Sequence, residues 1–290
     1  MIIEYYDELY PKLLRSIDNP PTRLYVIGNP NILSETGIAV IGSRNNTQYG
    51  ERMCKRFVKD LVDYNINIIS GLAFGIDKIA HITALENLGK TIAVLPSGLN
   101  NIYPKQHNEL AQKIIEHGGA IVSEYEENVK ASSKSFLERN RIVAGLAIGT
   151  LVIEAGYRSG TSVTARLTTE QGKPTFCIPS SLENSKGITT NKLIQNGSKL
   201  VTKIDDILNS YPNIKFEKTH KKEQIENIPK ELEDVYNVIE DIPQDINKIA
   251  RKSGLSISEV SYKLMLLQLE NLITELPGQR YIRNESGDYI

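Results

Sequence analysis

The sequence has 290 residues, of which 40% are hydrophobic and 24% charged, and its formal net charge is −1 at pH 7. This composition is typical of a globular protein with one or two domains and excludes disorder over the whole length. No apolar run approaches the ~18–20 residues of a bilayer-spanning helix, and the acidic N-terminus does not resemble a secretory signal, so we predict a cytoplasmic protein.

A short lead-in precedes the first strongly patterned part of the chain. Residues 10–28 contain three prolines and one possible strand, 24–27. Six further runs rich in β-branched residues follow at similar intervals, and such runs are typical of buried strands. They are residues 38–41, 66–69, 91–95, 120–122, 150–153 and 175–178.

Segments with a helical spacing of apolar residues separate most of these runs. The clearest is 48–64, in which Met53, Phe57 and Leu61 belong to one apolar stripe. Alternating strands and helices predict βαβ units, and hence an α/β fold with a doubly wound, mostly parallel sheet. We therefore predict an extended Rossmann-like domain over residues 1–208, with the lead-in as part of it.

A change in composition predicts a domain boundary after this part. Residues 209–230 are polar, rich in lysine and interrupted by two prolines, as is typical of an exposed linker. The elements predicted beyond it are helices over 232–239, 245–252 and 256–271 and a hairpin over 273–283. This order predicts a small winged-helix domain over residues 231–290.

Charge is distributed unevenly between the two predicted domains. Residues 231–290 hold 6 Lys and Arg against 11 Asp and Glu, whereas the first 230 residues hold 28 against 24. The third helix of the winged-helix domain contains one basic residue, Lys263, although a helix that reads base edges needs several basic or amide side chains. For this domain we favour a protein contact or a packing role over DNA reading.

Small and hydroxyl residues follow most of the predicted strands. Because parallel strands end at one edge of a sheet, these residues predict a rim of turns whose backbone N–H groups can approach a phosphate. The alternative is that glycine is needed there only for tight turning. The candidate rim residues are Gly42, Ser43, Arg44, Gly71, Gly75, Ser159, Gly160 and Thr161.

The usual nucleotide-binding fingerprints are missing from this rim. The first loop reads G-S-R-N-N-T-Q-Y-G rather than G-x-G-x-x-G, and the second strand ends in Ser70-Gly71 without the acidic residue that binds a ribose. No G-x-x-x-x-G-K-[ST] motif occurs either. NAD-dependent enzymes and P-loop ATPases are therefore excluded, and we expect no cofactor. Because the two cysteines form no CxxC motif and the histidines have no metal-like spacing, we also expect no metal.

A basic segment precedes the fifth of the six runs. Arginine at the start of a helix opposes the helix dipole, so local stability does not explain it, and we expect the arginines here to contact an anion. Phe136 could stack on a base or belong to the core, and the arginines could instead pair with Glu138 or Glu154. The candidate residues are Lys134, Phe136, Arg139, Asn140 and Arg141.

Together these motifs resemble the DNA processing protein A family, also called Smf. The resemblance covers about residues 10–208, and residues 231–283 resemble the winged-helix module of many members. A helical SAM-like domain, which begins many members, is expected to be absent because about nine residues precede Tyr10-Pro11. The motifs are Gly42-Ser43-Arg44, Tyr49-Gly50, S-G-L-A-F-G-I-D at 70–77, Phe136-x-x-Arg139-Asn140-Arg141-Ile142, Val152-x-Glu154-Ala155, Ser159-Gly160-Thr161 and Asn191-x-Leu193-Ile194-x-x-Gly197.

The resemblance implies a homodimer, not an enzyme, that binds single-stranded DNA without reading sequence and loads the RecA recombinase onto transforming DNA. Arg44 would hold a backbone phosphate, and amides of Gly42, Ser43, Gly71 and residues 159–161 would hold others. Lys134, Arg139 and Arg141 would line the groove, and Phe136 would touch a base. Our guess for the dimer contact within 193–201 is Leu193, Ile194, Leu200 and Val201.

Two other functions stay open at this point. The G-S-R motif also resembles nucleotide phosphoribohydrolases, in which Glu154 and Arg44 would act on an N-glycosidic bond. The G-G-x-G-T-x-x-E pattern of those enzymes is missing, since Glu154 precedes Ser159-Gly160-Thr161. The third hypothesis is a regulator that binds duplex DNA through the winged helix, which the acidic third helix disfavours.

Overall fold

A computed structural model describes residues 1–157, 159–218, 228–240, 243–270 and 272–283. The chain divides into two compact units, residues 1–219 and 220–290. None of the helices in the described part of the chain combines the length and the apolar character that a bilayer crossing requires.

The described residues of the first unit form a nine-stranded sheet. Strands β3 to β9 are parallel, whereas β2, near one end of the sheet, runs antiparallel to both of its neighbours, β1 and β6. The spatial order is β1-β2-β6-β5-β4-β3-β7-β8-β9. The strands are β1 Ile2–Glu4, β2 Arg23–Gly28, β3 Gly37–Ile41, β4 Asn67–Ser70, β5 Thr91–Val94, β6 Ala120–Ser123, β7 Gly149–Val152, β8 Thr175–Cys177 and β9 Lys199–Leu200.

Helices cover both faces of this sheet. Two short 3-10 helices, Pro30–Ser34 and Lys105–His107, accompany the α-helices. The α-helices are α1 Lys12–Arg15, α2 Gln48–Asp63, α3 Ile76–Glu86, α4 Asn108–Glu116, α5 Ser133–Leu146, α6 Gly160–Glu170, α7 Ile188–Gln195 and α8 Asp205–Leu208. The predicted α/β fold with a doubly wound, mostly parallel sheet is confirmed, and each of the six predicted runs is a strand.

Alternation along the central strand explains the two cores. Side chains of a strand point to opposite faces in turn, so β3 sends Ala39 and Ile41 into one cluster and Ile38 and Val40 into the other. The first cluster packs under α1, α5 and α6, and the second packs under α2 and α3. Strands buried on both faces need continuous apolar runs, which is why they were visible in the sequence.

The sheet reverses its direction of growth between β3 and β7. From β3 the chain adds β4, β5 and β6 on one side, and it later returns to add β7, β8 and β9 on the other. Loops that leave two adjacent strands in opposite directions open a crevice at the carboxyl ends of the strands, where doubly wound folds bind ligands. This switch point brings the loop after β3 next to the loop after β7.

Part of the predicted linker packs against the first unit. The hydroxyl of Tyr211 donates to the carbonyl of Ile148 over 3.1 Å, and Phe216 packs on the same core. Lys218 pairs with Asp63 over 3.1 Å. Residues 209–218 are therefore not a free linker, residues 219–227 lie outside the described part, and the proposed domain boundaries stay a prediction.

The second unit has the predicted winged-helix order. Its helices α9 Glu233–Tyr236, α10 Ile246–Ser253 and α11 Ile257–Leu269 pack with a sheet of β10 Gln244–Asp245, β11 Ile273–Leu276 and β12 Arg280–Arg283. The predicted capping box is present, since Ser256 N donates to Glu259 Oε2 over 3.0 Å and Glu259 N donates to Ser256 Oγ over 3.3 Å. Asn271, the last residue of the predicted third helix, lies outside the described residues.

Candidate functional site

Two rim loops meet at the switch point. A Cβ atom on Gly42 would lie 2.6 Å from Ile76 Cγ1, so this position has no room for a side chain. The hydroxyl of Thr161, in the first turn of α6, donates to the carbonyl of Gly42 over 3.1 Å. The loop after β3 is thereby fixed to the start of the helix that follows β7.

The loop after β4 closes against the same place. Gly75 has a φ of +74°, and a Cβ atom there would lie 2.2 Å from the carbonyl oxygen of Ser43. The amide of Ile76 donates to that carbonyl over 3.1 Å. The structure therefore brings Gly42, Ser43, Arg44 and Gly75 together on one edge, as the rim hypothesis requires.

The N-terminus of α6 presents an open backbone. Gly160 has no atom within 4 Å of an added Cβ, and the first turn carries no acidic side chain. Ser159 stands at the N-cap position, and its buried hydroxyl has no hydrogen-bond partner among the described residues. Uncapped N–H groups and the helix dipole favour an anion at this end.

Arg44 extends from the rim over an aromatic ring. Its guanidinium carbon lies 5.0 Å from the ring centroid of Phe136, a cation–π contact, and the residue is exposed. No ion pair of Arg44 occurs within the described residues. Lys134, two residues before Phe136 in the first turn of α5, is exposed and pairs with Glu138 over 3.4 Å.

The predicted position of Arg139 in the groove is wrong. Its side chain is 4% exposed, and its guanidinium donates to the carbonyls of Gly71, over 2.8 Å, and of Val94. It also donates to the side chain of Asn140, which is itself buried, over 3.3 Å. Arg139 thus holds two strand ends from beneath the rim, and neither it nor Asn140 can touch a strand of DNA on the surface.

A buried carboxylate accompanies Arg139. Asp77 Oδ2 accepts from the amides of Gly71, over 3.2 Å, and Ala73, over 3.4 Å. Burial raises the pKa of Asp77, and the charge of Arg139 opposes that rise. Burial likewise lowers the pKa of Arg139, to about 10, so the guanidinium is still charged near neutral pH. The predicted phosphate contact of the Gly71 amide is wrong as well, because Asp77 already uses that N–H.

Arg141 also departs from the prediction. Its guanidinium pairs with Glu124, and the two side chains are only 16% and 14% exposed. Residues two apart are separated by roughly 200° around an α-helix, so Arg139 and Arg141 cannot share one face of α5. The alternative that these arginines pair with carboxylates holds for Arg141, although its partner is neither Glu138 nor Glu154.

Glu154 joins three loops of the rim. Its Oε2 accepts from the amide of Thr47 over 2.8 Å, and its Oε1 accepts from the Thr47 hydroxyl over 2.7 Å and from Asn184 Nδ2 over 3.0 Å. The side chain is buried, and these three hydrogen bonds engage both of its oxygens. Glu154 is therefore held in place against the start of α2, and within the described part of the chain it makes no contact with Arg44 of the kind that the hydrolase hypothesis needs.

Two aromatic residues at this edge escaped the sequence analysis. Phe74 is 43% exposed, and its ring meets His107 edge to face at a centroid distance of 4.9 Å. Tyr103 is 46% exposed and meets Phe136 in the same way at 5.3 Å. The only signal in the sequence was their position in loops that follow β4 and β5.

The proposed dimer residues differ in how deeply they are buried. Val201 is wrong as a surface contact because it is completely buried in the core of its own unit. Leu193 and Ile194 are half-buried and pack on the first cluster. Leu200 is exposed on β9, which lies at the end of the sheet, and can meet another molecule.

The third helix of the winged-helix unit shows an apolar outer side. Tyr262, Met265 and Leu269 are exposed, while Lys263 is held by Asp234 over 2.6 Å. This side of α11 offers little for reading base edges. Among the described residues, no group of three or more His, Cys, Asp or Glu is placed to hold a metal ion.

Two family models match the chain. Residues 1–212 match the model of DNA recombination-mediator protein A, and residues 220–279 match the DprA winged helix domain. Protein Smf of Escherichia coli K12 is 37% identical over 286 residues, which are 95% of this chain and 75% of that protein. DNA processing protein DprA of Streptococcus pneumoniae R6 is 39% identical over 202 residues, or 70% and 71% of the two chains.

Solved structures agree with these matches. The X-ray structure of DprA from Streptococcus pneumoniae superposes with a TM-score of 0.69 at 36% identity and covers 75% of each chain. A structure of DprA from Helicobacter pylori, described for its single-stranded DNA binding mode, gives a TM-score of 0.64 at 32% identity. The second match covers 72% of this chain and 97% of the other.

Proposed function

Because the chain belongs to the DNA recombination-mediator protein A family, we propose that it binds single-stranded DNA irrespective of base sequence and loads the RecA recombinase onto it. The binding described for the Helicobacter pylori relative supports the first part of this proposal. The protein would act in the cytoplasm, where transforming DNA and the recombinase meet.

The observation that carries the proposal is the position of Arg44. An exposed guanidinium at the switch point, held over Phe136 and without an acidic partner among the described residues, is a ready ligand for a phosphate. The open N–H groups of Ser159, Gly160 and Thr161 at the start of α6 would receive a second phosphate. Ser43 and Gly42 complete the rim between these two points.

Sequence independence follows from the chemistry of these groups. Guanidinium and backbone N–H groups bind phosphate oxygens, which are the same for every base. Lys134 adds a mobile positive charge beside the rim. The buried Arg139 supports this surface from below by holding the carbonyl of Gly71.

A binding role is favoured over hydrolysis by Glu154. A general base or nucleophile needs a free lone pair directed at the substrate, whereas both oxygens of this carboxylate are engaged by Thr47 and Asn184. We therefore propose that the protein is not an enzyme. Release of free base from a nucleoside monophosphate would contradict this.

Homodimerisation is proposed through the end of the sheet at β9. Leu200 is exposed there, and the half-buried Leu193 and Ile194 lie in α7, which precedes β9. Light scattering on wild type and on Leu200→Arg tests this contact. A dimeric wild type and a monomeric variant would support it. Wild type that is monomeric at micromolar concentration would contradict it.

The test of DNA binding compares single-stranded and duplex oligonucleotides of equal length by fluorescence anisotropy. We expect a preference for the single strand, and Arg44→Ala should weaken binding about ten- to a hundredfold because it removes a charged hydrogen-bond donor. Arg166→Ala is the matched control, since this exposed arginine pairs with Glu170 further along α6. Equal binding by wild type and Arg44→Ala would overturn the assigned site.

RecA loading is tested by following the assembly of RecA filaments on single-stranded DNA with and without the protein. Wild type should shorten the delay before filaments form, and Arg44→Ala should not. An unchanged delay with wild type would contradict the mediator role while leaving DNA binding intact.

A further inference from the structure

The third helix of the winged-helix unit, α11, is apolar on two opposite sides. On the inner side, Val260, Leu264 and Leu267 are at most 1% exposed and pack into the core of this unit. A helix that is apolar all round is normally buried on every side. The outer side of α11 has the composition of a buried surface, yet among the described residues nothing covers it.

Three large apolar side chains, which we call the α11 stripe, form this outer side. Tyr262, Met265 and Leu269 are 60%, 49% and 71% exposed. At roughly 100° per residue they lie within about 60° of one another around the helix, in the i, i+3, i+7 spacing of the anchors by which helices bind a partner. Ser258 and Ser261 fall on the same side, and their small side chains leave room for a second helix.

A grouping of this kind marks a contact surface for protein. Large apolar side chains that stay in water forgo the favourable free energy of burial, and contiguous groups of them at a surface indicate that a partner covers them. The flexible side chain of Met265 can adapt to the shape of that partner. Nucleic acid offers phosphates and polar base edges, which the α11 stripe has no polar group to bind apart from one tyrosine hydroxyl.

The charges beside the α11 stripe indicate the kind of protein. Lys263, the single basic residue of α11, is engaged, because its Nζ donates to Asp234 Oδ1 over 2.8 Å and to Oδ2 over 2.6 Å. Two acidic residues, Glu259 in the first turn and Glu270 at the C-cap, are exposed at the two ends of the helix. The border of the stripe is therefore negative.

This negative border distinguishes between possible partners. DNA and a second copy of the same surface would both bring negative charge against it, and like charges across an interface are unfavourable. Residues 231–290, with 6 Lys and Arg against 11 Asp and Glu, act in the same sense. Lysine and arginine side chains, in contrast, are attracted to this border.

We infer that the α11 stripe is the docking site for an amphipathic helix of another protein, with apolar side chains on one face and lysine or arginine beside them. The apolar face would cover Tyr262, Met265 and Leu269, and the basic side chains would lie against Glu259 and Glu270. The proposed DNA site belongs to the first unit, so this inference does not depend on it. A chain that holds DNA with one unit and this helix with the other brings a second protein to the DNA.

The test uses the full chain and three synthetic helical peptides of equal length, each labelled with a fluorophore. All three have the same leucine face, and their remaining positions are filled with lysine, glutamine or glutamate. Fluorescence anisotropy measures the affinity of each peptide. We expect the lysine peptide to bind about tenfold more tightly than the glutamine peptide, with an affinity that falls as salt is added, and the glutamate peptide to bind least.

Substitutions identify the surface that the peptide contacts. Met265→Ser and Leu269→Ser should each weaken binding of the lysine peptide about ten- to a hundredfold, because each removes a side chain that is buried in the complex. Glu270→Gln should weaken it about two- to fivefold and reduce its salt dependence. Leu88→Ser is the matched control, since it removes an 81% exposed leucine from the first unit and should leave the affinity unchanged.

Three results would overturn the inference. The first is equal binding of the three peptides, or of the lysine peptide by wild type and Met265→Ser. The second is a loss of affinity for oligothymidylate in Met265→Ser, which would show that the stripe contacts DNA. The third is a lower molar mass of Met265→Ser than of wild type in light scattering, which would show that the stripe pairs with a second copy. Failure of wild type to bind oligothymidylate would instead contradict the proposed function and leave the docking site unaffected.

Discussion

At the carboxyl edge of the sheet, where the rim loops lie, two residues of the same type can have different roles. Arg44 and Arg139 are both arginines in or near the motifs of the rim, yet one is exposed and the other is 4% exposed. The exposed one is free to bind a phosphate, whereas the buried one donates to the carbonyl of Gly71, just after β4, and to that of Val94 in β5. Two basic residues of the same motif set therefore act at different depths.

The buried pair of Arg139 and Asp77 predicts a strong effect on stability. Arg139→Ala removes the donor to two buried backbone carbonyls and the positive charge that opposes the rise in the pKa of Asp77, so it should lower the free energy of unfolding by about 3–5 kcal/mol. Lys134→Ala, at an exposed position of the same helix, should change it by less than about 0.5 kcal/mol. Urea denaturation measures both, and similar values for the two variants would refute the structural role of Arg139.

His81 predicts a loss of stability in mild acid. Burial lowers its pKa from 6.5 to about 3, so the folded chain keeps it neutral while the unfolded chain takes up a proton below pH 6.5. The free energy of unfolding should therefore fall as pH drops from 6.5 towards 3, by at most about 1.4 kcal/mol per pH unit from this residue. Asp77 acts in the opposite sense, because its raised pKa favours the folded state at low pH.

The control for this effect is His81→Asn. The hydroxyl of Thr91 donates to the carbonyl of Ile68, so it accepts a hydrogen bond from His81 Nδ1 over 2.7 Å. The side-chain amide of asparagine can donate to the same hydroxyl oxygen. The variant cannot titrate, so its unfolding free energy should change less between pH 6.5 and pH 5 than that of wild type. Parallel curves for the two proteins would show that His81 does not cause the acid sensitivity.

Which residues lie on the rim could largely be predicted from the sequence, but how deeply each side chain is buried could not. Gly42, Ser43 and Arg44 follow a strand, so their place at the sheet edge comes from the order of elements along the chain. Arg139 and Arg141 follow no such rule. Which side of α5 faces the sheet depends on packing against β4 and β5, and the mixed composition of 133–146 gives no clear stripe to indicate it.

At the scale of elements, the loops depend on close contacts between backbones. Gly75 allows the loop after β4 to reach within hydrogen-bonding distance of Ser43. A side chain there would have to push the two loops apart and would carry Arg44 with them. The close contact between the two loops therefore requires glycine at position 75.

We expect Gly75→Ala to lower both stability and affinity for single-stranded DNA. Gly172→Ala is the control, because Gly172 also has a positive φ, of +70°, but no atom lies within 4 Å of its added Cβ. Both variants carry the strain of a positive φ, about 1 kcal/mol, and only the first displaces the rim. Thermal unfolding should therefore show a loss of stability for both variants, whereas fluorescence anisotropy should show a loss of DNA binding for Gly75→Ala alone.

The strands show what sequence patterns detect. All six predicted runs lie in the middle of the sheet, where burial on both faces demands a continuous apolar run. The strands of this sheet that were missed, β1 and β9, are two or three residues long and lie at its two ends. They form by pairing with strands that are distant in sequence, so no local sequence pattern predicts them.

At the scale of the whole molecule, charge separates the two units. Residues 231–290 carry a net charge of −5, and the basic stretches lie in the first 230 residues. The first unit also has its own core clusters. Affinity for the polyanion is therefore expected to belong to the first unit.

A chain ending at residue 218 should keep nearly all affinity for single-stranded DNA. The logarithm of its association constant should fall linearly with the logarithm of salt concentration, with the slope of the full chain. Arg44→Ala in either chain should reduce that slope by about one phosphate contact. Loss of binding in the shortened chain, with its fold intact by circular dichroism, would move the site to the winged-helix unit.

The three-way attachment of Glu154 has a kinetic consequence. Glu154 follows β7 and is hydrogen-bonded to the loop after β3 and to the loop after β8. We therefore expect the rim to be ordered already in the free protein, before DNA binds. A pre-organised receptor needs no slow rearrangement, so association should approach the electrostatically steered limit. Differences in affinity between oligonucleotides would then arise almost entirely from how fast each one leaves.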